Sequence, residues 1–397
     1  MSVVLDAASV VAGIAASVVA VPIGVLCAEC VAALLPSGGD YAHGQPGDTD
    51  DCRVDVLIPA HNEQAVLGET LAALAEQLAP GDRVWVIADN CDDDTAAIAR
   101  RARVNALERR DAVRRGKGYA LDYAVRLLES DPGDVVVILD ADCELSPGSL
   151  RQMARMAHHS RHPVQAGYTM AAAASRPRDA VSQLAVLVKN IVRPLGLSRL
   201  GLPCLLTGSG MAFPWPVIRD ASLASGNIVE DMKLSIDMLL AGTPPRFCPE
   251  AGVSAMLPGE RRAVTSQRTR WEHGHLQTIL SQTPRLLRAA MRGRRPSLLA
   301  SALDLAIPPL SLLVIAWCAA AMMALVCGLL GAGWLPMAIS AVSGSMLAAV
   351  VVAVNAKFGA GGSWRALLAV PLYVAGKVPI YLGFLWRRQT AWVRTAR

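Results

Sequence analysis

Hydrophobic and polar positions divide this chain into three parts. An apolar stretch at 7–35 contains one acid, Glu29, and no base, and it is as long as a helix that crosses a bilayer. Three further apolar stretches lie near the end, at about 298–330, 334–356 and 364–386. Between these regions, short β-branched runs alternate with helical periodicity. The pattern predicts an α/β domain flanked by transmembrane helices.

The central part predicts a mostly parallel sheet with helices on both of its faces. The predicted strands are 54–58, 83–88 and 135–139, and the predicted helices are 63–78, 95–103 and 118–129. Polar residues follow each predicted strand. Because ligands of open α/β sheets bind beyond the carboxyl ends of the strands, we expect the binding site at this edge.

Composition and charge exclude several classes of protein. With 53% hydrophobic and 18% charged residues and a mean hydropathy of +0.36, the chain is neither disordered, coiled-coil nor an ordinary soluble enzyme. From Arg285 onward, twelve Lys and Arg residues accompany one acid, Asp304. This distribution argues against a nucleic-acid binder and predicts a basic, membrane-flanking tail. Cys27 and Cys30 lie in an apolar run, where we expect reduced thiols that pack as small hydrophobic groups.

The first apolar stretch lacks the basic start of a cleavable secretory peptide, so we predict a retained signal anchor and a cytosolic domain after it. If the three later apolar stretches each crossed the membrane once, the C-terminal arginines would lie on the non-cytosolic side. The positive-inside rule instead favours basic residues on the cytosolic side. Either the segment broken at Pro308 and Pro309 forms a hairpin, or the last segment is interfacial or re-entrant. Asp304 and Lys377 lie near segment breaks, where we expect them to snorkel to the interface.

Asp140 and Asp142 are the first candidate for chemistry. They directly follow the predicted strand 135–139, and their spacing puts both carboxylates on the same side of an extended chain, able to hold Mg²⁺ or Mn²⁺. A cation there could stabilise a departing diphosphate. Such acid pairs are common in solvated loops, and the preceding buried strand is what favours a metal site. No glycine-rich dinucleotide or P-loop motif occurs at these turns.

Six motifs occur in an order that resembles glycosyltransferase family 2. They are Pro59-Ala-His-Asn-Glu63, Ala88-Asp-Asn-Cys-Asp-Asp-Asp-Thr95, Arg115-Gly-Lys-Gly-Tyr119, Asp140-Ala-Asp142, Glu230-Asp231 and Gln267-Arg-Thr-Arg-Trp271. The resemblance covers about residues 53–275. The last motif resembles the Q-x-x-R-W sequence of membrane-bound cellulose, chitin and hyaluronan synthases. The resemblance implies a GT-A fold and an inverting transfer from a nucleotide sugar.

The resemblance also implies a role for each matched acid and for the lysine. Glu63 and Asp89 would contact the uridine, and Lys117 would lie near the nucleotide. Asp140 would reach the ribose or the diphosphate. Asp142, together with Asp140, would bind the divalent cation, Mg²⁺ or Mn²⁺.

Asp231 matches the family's general base, which takes a proton from the acceptor hydroxyl, and its neighbour Glu230 would contact the substrate. An ordinary first-turn acid, favoured by the helix dipole, is the alternative for Asp231. Gln267, Arg270 and Trp271 match the motif that lies over the donor diphosphate and the acceptor end. Two stretches, 182–200 and 267–292, have the mixed apolar and basic composition of interface helices, although the first also suits an ordinary core-facing helix.

Together these features predict an integral enzyme of the plasma or inner membrane. The predicted divisions are a signal anchor and linker at 1–50, a cytosolic GT-A domain at 51–265, an amphipathic interface helix at 266–297 and a C-terminal membrane region at 298–397. The predicted partners are a UDP-sugar donor, a glycan or glycolipid acceptor and membrane lipids, with no nucleic acid. The few membrane segments favour a short oligosaccharide product or a separate export partner.

Three alternatives stay open at this point. An enzyme similar to ceramide glucosyltransferase would add one sugar to a lipid and would carry the same acidic set. A sugar-nucleotide pyrophosphorylase would need a glycine-rich phosphate loop near the start of the domain, which residues 59–63 do not provide. A catalytically silent, nucleotide-binding scaffold would have lost some of the acids, and Asp89, Asp140, Asp142 and Asp231 are all present.

Overall fold

The computed structural model describes residues 2–36, 52–171, 177–225, 229–256, 261–359 and 367–386. These residues form two compact units. The sheet unit contains residues 52–171, 201–225, 229–256 and 261–268. The apolar-helix unit contains residues 2–36, 177–200, 269–359 and 367–386.

The described strands belong to one sheet of the sheet unit. They are β1 Val54–Ala60, β2 Arg83–Asp89, β3 Asn105–Arg109, β4 Val135–Ile138, β5 Cys143–Leu145, β6 Val164–Ala171, β7 Met211–Pro214 and β8 Arg246–Met256. The helices that begin in the sheet unit are α2 Leu67–Ala75, α3 Thr95–Arg101, α4 Lys117–Leu128, α5 Ser149–Ser160, α8 Trp215–Arg219, α9 Glu230–Ala241 and α10 Arg261–Gly293. The division between the two units falls within α10.

The other described helices lie in the apolar-helix unit. They are α1 Ser2–Leu34, α6 Pro177–Leu187, α7 Arg193–Arg199, α11 Pro296–Leu305, α12 Leu310–Leu329, α13 Leu335–Phe358, α14 Val370–Ala375 and α15 Val378–Trp386. A short π-helix, Val188–Val192, joins α6 to α7.

The sheet has the order β3-β2-β1-β4-β7-β6-β8-β5. The first four strands are parallel to one another. β7 runs antiparallel to both β4 and β6, and β6 is parallel to β8. The predicted parallel sheet is therefore one half of a mixed sheet. Since β1, β2 and β4 point the same way, their carboxyl ends lie at one edge, as the sequence predicts.

Successive side chains of the buried strands point to opposite faces of this sheet, and helices pack against both faces. Val56 and Ile58 belong to a core layer with apolar side chains of α2 and α5. Leu57, which points the opposite way in a strand, belongs to a second layer with side chains of α4 and α9. The predicted arrangement of helices on both faces is confirmed.

The edge strand β3 has no counterpart among the predicted strands. Its sequence, Asn-Ala-Leu-Glu-Arg, contains no β-branched residue, and its side chains are exposed or half-buried. An edge strand packs fewer apolar groups than a central one, so its pattern is weak. Helix α2 also begins later than predicted, because the Glu63 carbonyl accepts hydrogen bonds from the backbone of Val66 and Leu67 in a preceding turn.

Four described helical segments are long and apolar enough to cross a membrane: Leu5–Leu34, Asp179–Arg199, Leu310–Leu329 and Leu335–Phe358. Three coincide with predicted apolar stretches, although the stretch at 298–330 is broken into α11 and α12 at Pro308 and Pro309. The segment Asp179–Arg199 covers most of the predicted amphipathic stretch 182–200, and its length and composition also allow a membrane crossing. The described part of the last predicted stretch forms only the short helices α14 and α15.

A buried ion cluster joins three helices of the apolar-helix unit. The Arg193 guanidinium of α7 donates to Glu29 Oε2 of α1 at 2.8 Å and to Asp304 Oδ1 of α11 at 2.5 Å. All three side chains are buried. A Cβ added at Gly196 would lie 1.9 Å from the Glu29 carbonyl oxygen, so only glycine permits this close approach of α7 to α1. Because the two carboxylates neutralise its charge, Arg193 can be buried within the apolar segment Asp179–Arg199.

The prediction that Asp304 and Lys377 snorkel to the surface is wrong. Asp304 is 5% exposed in the cluster with Arg193, and Lys377 is 6% exposed. Lys377 forms an ion pair with Glu272 of α10, which also accepts a hydrogen bond from Tyr381 at 2.9 Å. Each charge is neutralised by a partner within the unit. Cys27 and Cys30 are buried free cysteines in its apolar core, as the sequence predicts.

Substitution of Arg193 by Met is expected to destabilise the protein strongly. It leaves two buried carboxylates without their cation, a change that costs about 3–5 kcal/mol. The matched control is Arg288→Met, at an exposed position of α10, where a change within about 0.5 kcal/mol is expected. Thermal unfolding in detergent measures both. Equal losses in the two variants would contradict a stabilising role for the cluster.

Candidate active site

Lys117 lies at the centre of the polar edge of the sheet. Helix α4 begins at Lys117, directly after Gly116, whose φ of +118° favours glycine. The Lys117 ammonium forms an ion pair with Asp140 and donates to the Gly208 carbonyl oxygen at 2.6 Å. A Cβ at Gly118 would lie 2.4 Å from the Leu223 carbonyl oxygen. Both glycines of the Arg115–Tyr119 motif are thus explained by the backbone around the lysine.

The predicted acid pair lies beside Lys117, in the turn between β4 and β5. Ligand atoms of Asp140, Asp142 and Cys143 all lie within 4.8 Å of one another. The Asp140 backbone N–H donates to the Ser209 hydroxyl at 3.0 Å. The Cys143 sulfur is 3.6 Å from Asp142 Oδ1. The structure therefore brings the two carboxylates together, as their spacing predicts.

Local electrostatics favour a divalent cation at this turn. Burial raises the pKa of Asp140, the Lys117 ammonium opposes this shift, and the carboxylates of Asp142 and Asp231 reinforce it. Burial also raises the pKa of the Cys143 thiol well above its ordinary value, so the sulfur stays protonated. The carboxylate oxygens of Asp140 and Asp142 are ligands that suit Mg²⁺ or Mn²⁺. A cation would relieve the repulsion among the acids, so these residues fit the predicted metal.

Burial lowers the pKa of Lys117, but the charges of Asp140, Glu230 and Asp231 outweigh it and raise the pKa overall. The ammonium therefore keeps its proton at neutral pH. Three acids from two separate parts of the chain act on this one group, which brings Asp140 and the Glu230-Asp231 pair into the same site.

Asp231 faces the loop 207–210. It lies in the first turn of α9, and its Oδ1 accepts a hydrogen bond from the Met232 backbone at 2.8 Å. Gly208 has a φ of +97°, and a Cβ added there would lie 3.4 Å from Asp231 Oδ2. Asp231 is thus a first-turn acid and also a member of the polar site. Its role as the general base stays a prediction.

Asp89 and Glu63 lie at the ends of β2 and β1. Asp89 is 6% exposed, and its Oδ1 accepts hydrogen bonds from Arg109 at 2.6 Å and from Asn90 at 3.0 Å. The His61 ring donates to the Asp89 carbonyl oxygen at 2.6 Å. The Glu63 backbone N–H donates to the Thr95 hydroxyl at 2.9 Å. These bonds fix the two strand ends relative to each other.

Arg109, which donates a hydrogen bond to the Asp89 carboxylate, is not among the predicted site residues. It ends the unpredicted strand β3 and also donates to the Arg114 carbonyl oxygen at 2.7 Å. Its position follows from the parallel register of β3 with β2, in which Arg109 lies beside Asp89. Recognition of residues 105–109 as a strand would have placed this guanidinium at the polar edge.

The Gln-x-x-Arg-Trp motif lies on helix α10. The side chain of Gln267 falls outside the described residues, and Arg270 and Trp271 are half-buried. Arg270 and Trp271 belong to the apolar-helix unit, whereas the acids above belong to the sheet unit. The roles implied for these three residues stay predictions.

Comparison with known proteins identifies the family. A family model described as glycosyltransferase like family 2 matches residues 52–274. The chain belongs to glycosyltransferase family 2. An N-acetylglucosaminyltransferase of Rhizobium leguminosarum bv. viciae is 26% identical over 247 residues, which is 58% of this chain and 57% of that protein. The chain therefore matches little more than half of the length of this curated relative.

Two further comparisons concern a short segment and the fold. A beta-monoglucosyldiacylglycerol synthase of Synechocystis sp. is 34% identical over 106 residues, 25% of this chain and 22% of that protein. The structure of the mannosyltransferase PcManGT from Pyrobaculum calidifontis, in complex with GDP-Man and Mn²⁺, matches with a TM-score of 0.58 and 19% identity. It covers 97% of this chain and all of that one. The predicted GT-A-like fold with apolar helices is confirmed.

Substitution of Asp142 by Asn is expected to weaken Mn²⁺ binding about tenfold or more, because it removes one charged ligand. Titration of Mn²⁺ followed by electron paramagnetic resonance measures the affinity directly. The matched control is Asp122→Asn, whose carboxylate pairs with Arg126 on the exposed side of α4. Unchanged affinity in Asp142→Asn would show that the cation binds elsewhere or that the site does not bind it.

Proposed function

We propose that this protein is an inverting glycosyltransferase that transfers a sugar from a UDP-sugar to a growing glycan or oligosaccharide at the membrane. The observation that carries the proposal is the convergence of Asp231, Lys117 and the Asp140-Asp142 pair on one edge of the sheet. A carboxylate base, a fixed ammonium and a candidate cation site are the groups that transfer from a sugar diphosphate requires.

The donor nucleotide would lie across the ends of β1, β2 and β4. Glu63 and Asp89 would contact the uridine, and Asp89 is already oriented by Arg109. Asp142 and Asp140 would hold Mg²⁺ or Mn²⁺. When bound, the cation neutralises charge on the diphosphate as it leaves. Lys117 is fixed between Asp140 and the Gly208 carbonyl oxygen, where it would add positive charge near the nucleotide.

Asp231 would act as the general base. A sugar hydroxyl is a poor nucleophile until its proton is removed, and an ionised carboxylate can accept that proton. The acceptor oxygen would then form a bond to the anomeric carbon while the bond from that carbon to the donor diphosphate breaks. One displacement inverts the carbon, and the proton ends on Asp231. Glu230, beside it in the first turn of α9, would contact the substrate.

The membrane part of the proposal rests on the four long apolar helices. We propose that the sheet unit faces the cytosol, where nucleotide sugars are available, and that membrane lipids surround the apolar-helix unit. Gln267, Arg270 and Trp271 would act at the diphosphate and the acceptor end, as in membrane-bound synthases. A partner protein would export the product if the chain builds a polymer.

Transfer of one sugar to a lipid acceptor is the second candidate. The similarity of one segment to a beta-monoglucosyldiacylglycerol synthase favours it, because that name describes a sugar on a lipid. Product size separates the two candidates. An oligosaccharide ladder would support the synthase, and a single glycolipid would support the lipid transferase.

The first experiment is a donor panel with membranes that contain the protein. UDP-glucose, UDP-N-acetylglucosamine and GDP-mannose are supplied with Mn²⁺ or Mg²⁺, and the labelled product is extracted and sized. Transfer from a UDP-sugar is expected. Transfer from GDP-mannose alone would replace the proposed donor, and no transfer from any nucleotide sugar would contradict the enzymatic proposal.

Asp231→Asn is expected to lower kcat by about 10²–10⁴-fold, because the amide cannot accept the acceptor's proton. The control is Asp237→Asn on the same helix, where the carboxylate pairs with Lys233 at 2.6 Å. Donor affinity, measured by nucleotide binding, should change little in both variants. Equal activity of the two variants would exclude Asp231 as the base.

A further inference from the structure

One buried amide side chain fixes the loop 207–210. Gln165, in β6, is 0% exposed. Its Oε1 accepts a hydrogen bond from the Thr207 backbone at 2.8 Å. Its Nε2 donates to the carbonyl oxygens of Ser209 at 2.9 Å and Gly210 at 3.3 Å, and also to its neighbour Ala166 at 2.8 Å. Gln165 therefore bonds to both ends of the loop.

The same loop touches three groups of the candidate active site. The Gly208 carbonyl oxygen accepts the hydrogen bond from Lys117. The Ser209 hydroxyl accepts from the backbone of Asp140 at 3.0 Å. The Gly208 backbone lies against the carboxylate of Asp231. A shift of the loop would consequently move Lys117, Asp140 and Asp231 relative to one another.

The surroundings of the loop make this amide hard to replace. Gly210 has a φ of +64°, and a Cβ there would lie 2.8 Å from a Val253 methyl carbon, so the backbone is already packed closely against β8. Among the described residues, the buried Thr207 hydroxyl oxygen has no hydrogen-bond partner. Loss of the Gln165 amide would remove the hydrogen bonds that it makes to the Thr207 N–H and to the buried Ser209 carbonyl oxygen, and the backbone can restore them only by moving. The Gly210 carbonyl oxygen would keep its hydrogen bond from the Ala166 backbone.

We infer that Gln165 is a positioning residue for sugar transfer. It acts through the loop 207–210 and sets the placement of Asp231 relative to Lys117 and Asp140. This inference rests on the proposed function. Because a displacement of about 1 Å between reacting groups can cost about 100-fold in rate, the amide should affect the chemical step more than donor binding.

The test compares two glutamines that perform the same structural task. Gln77 also clamps a loop of the sheet unit, because its Nε2 donates to the Leu145 carbonyl oxygen at 2.9 Å and its Oε1 accepts from the Leu150 backbone at 3.4 Å. That loop has no hydrogen bond to the candidate site among the bonds described here. Gln165→Met and Gln77→Met remove the same amide and keep a similar volume. Ser209→Ala, which removes the hydroxyl that holds Asp140, tests the loop independently.

The expected result is a fall in kcat of about tenfold or more in Gln165→Met, with a donor KM within about twofold of the wild-type value. Gln77→Met should keep its kcat even if its melting temperature falls equally. Gln165→Met combined with Ser209→Ala should lose less activity than the product of the two single losses, because both act through one loop. Backbone amides of 207–210 should exchange hydrogen faster in Gln165→Met.

Three results would overturn the inference. Equal kcat values in Gln165→Met and Gln77→Met, per folded protein, would reduce Gln165 to a structural role. A rise in KM with unchanged kcat would assign it to donor binding. If Gln165→Met does not fold, an unchanged kcat in Ser209→Ala would reject the role of the loop. Absence of turnover in the wild-type protein with every donor would instead reject the proposed function, and the inference with it.

Discussion

The carboxylates of Asp140, Asp142 and Asp231 all act electrostatically on one another or on the ammonium group of Lys117. Like charges at close range are costly, and the sheet unit tolerates them because surrounding groups hold each one in place. The Lys117 ammonium is fixed by the Gly208 carbonyl oxygen and by the Asp140 carboxylate. The Asp140 backbone N–H donates to the Ser209 hydroxyl, and the Asp231 carboxylate accepts from the backbone at the start of its own helix. The remaining negative charge of these carboxylates favours a divalent cation at the site.

In the apolar-helix unit, by contrast, a buried cation is surrounded by carboxylates. Its Arg193 is enclosed by Glu29 and Asp304, with hydrogen bonds between charged groups from three helices. In the sheet unit, Asp55 is likewise completely buried, but it is held by Arg83, the Trp85 indole and the Gly133 backbone. Such enclosed clusters hold helices and strands together, whereas the side chains of Asp140 and Asp142 after β4 are partly exposed.

The parts of the fold that the sequence predicts are those with strong local patterns. β1, β2 and β4 are runs of buried apolar residues, and the acids after them are placed at one edge by parallel pairing alone. β3 was missed because an edge strand buries little. The ion pairs of Asp304 and Lys377 were missed because their partners, Arg193 and Glu272, lie far away along the chain, where no periodicity connects them. The hydrogen bonds of Gln165 to the loop 207–210 were missed for the same reason, because Thr207 and Ser209 lie more than 40 positions after Gln165.

The cluster of Glu29 also has a consequence for the biogenesis of the protein. Glu29 precedes Arg193 by 164 positions, and Asp304 follows Arg193 by a further 111. Glu29 lies near the C-terminal end of α1, and a carboxylate in an apolar helix needs a partner to offset the loss of water. During synthesis, α1 is therefore complete before its counter-ion Arg193 has been made. The complete cluster can form only after α11 has been synthesised, and a chain that stops before Arg193 leaves the Glu29 carboxylate of α1 without its cation.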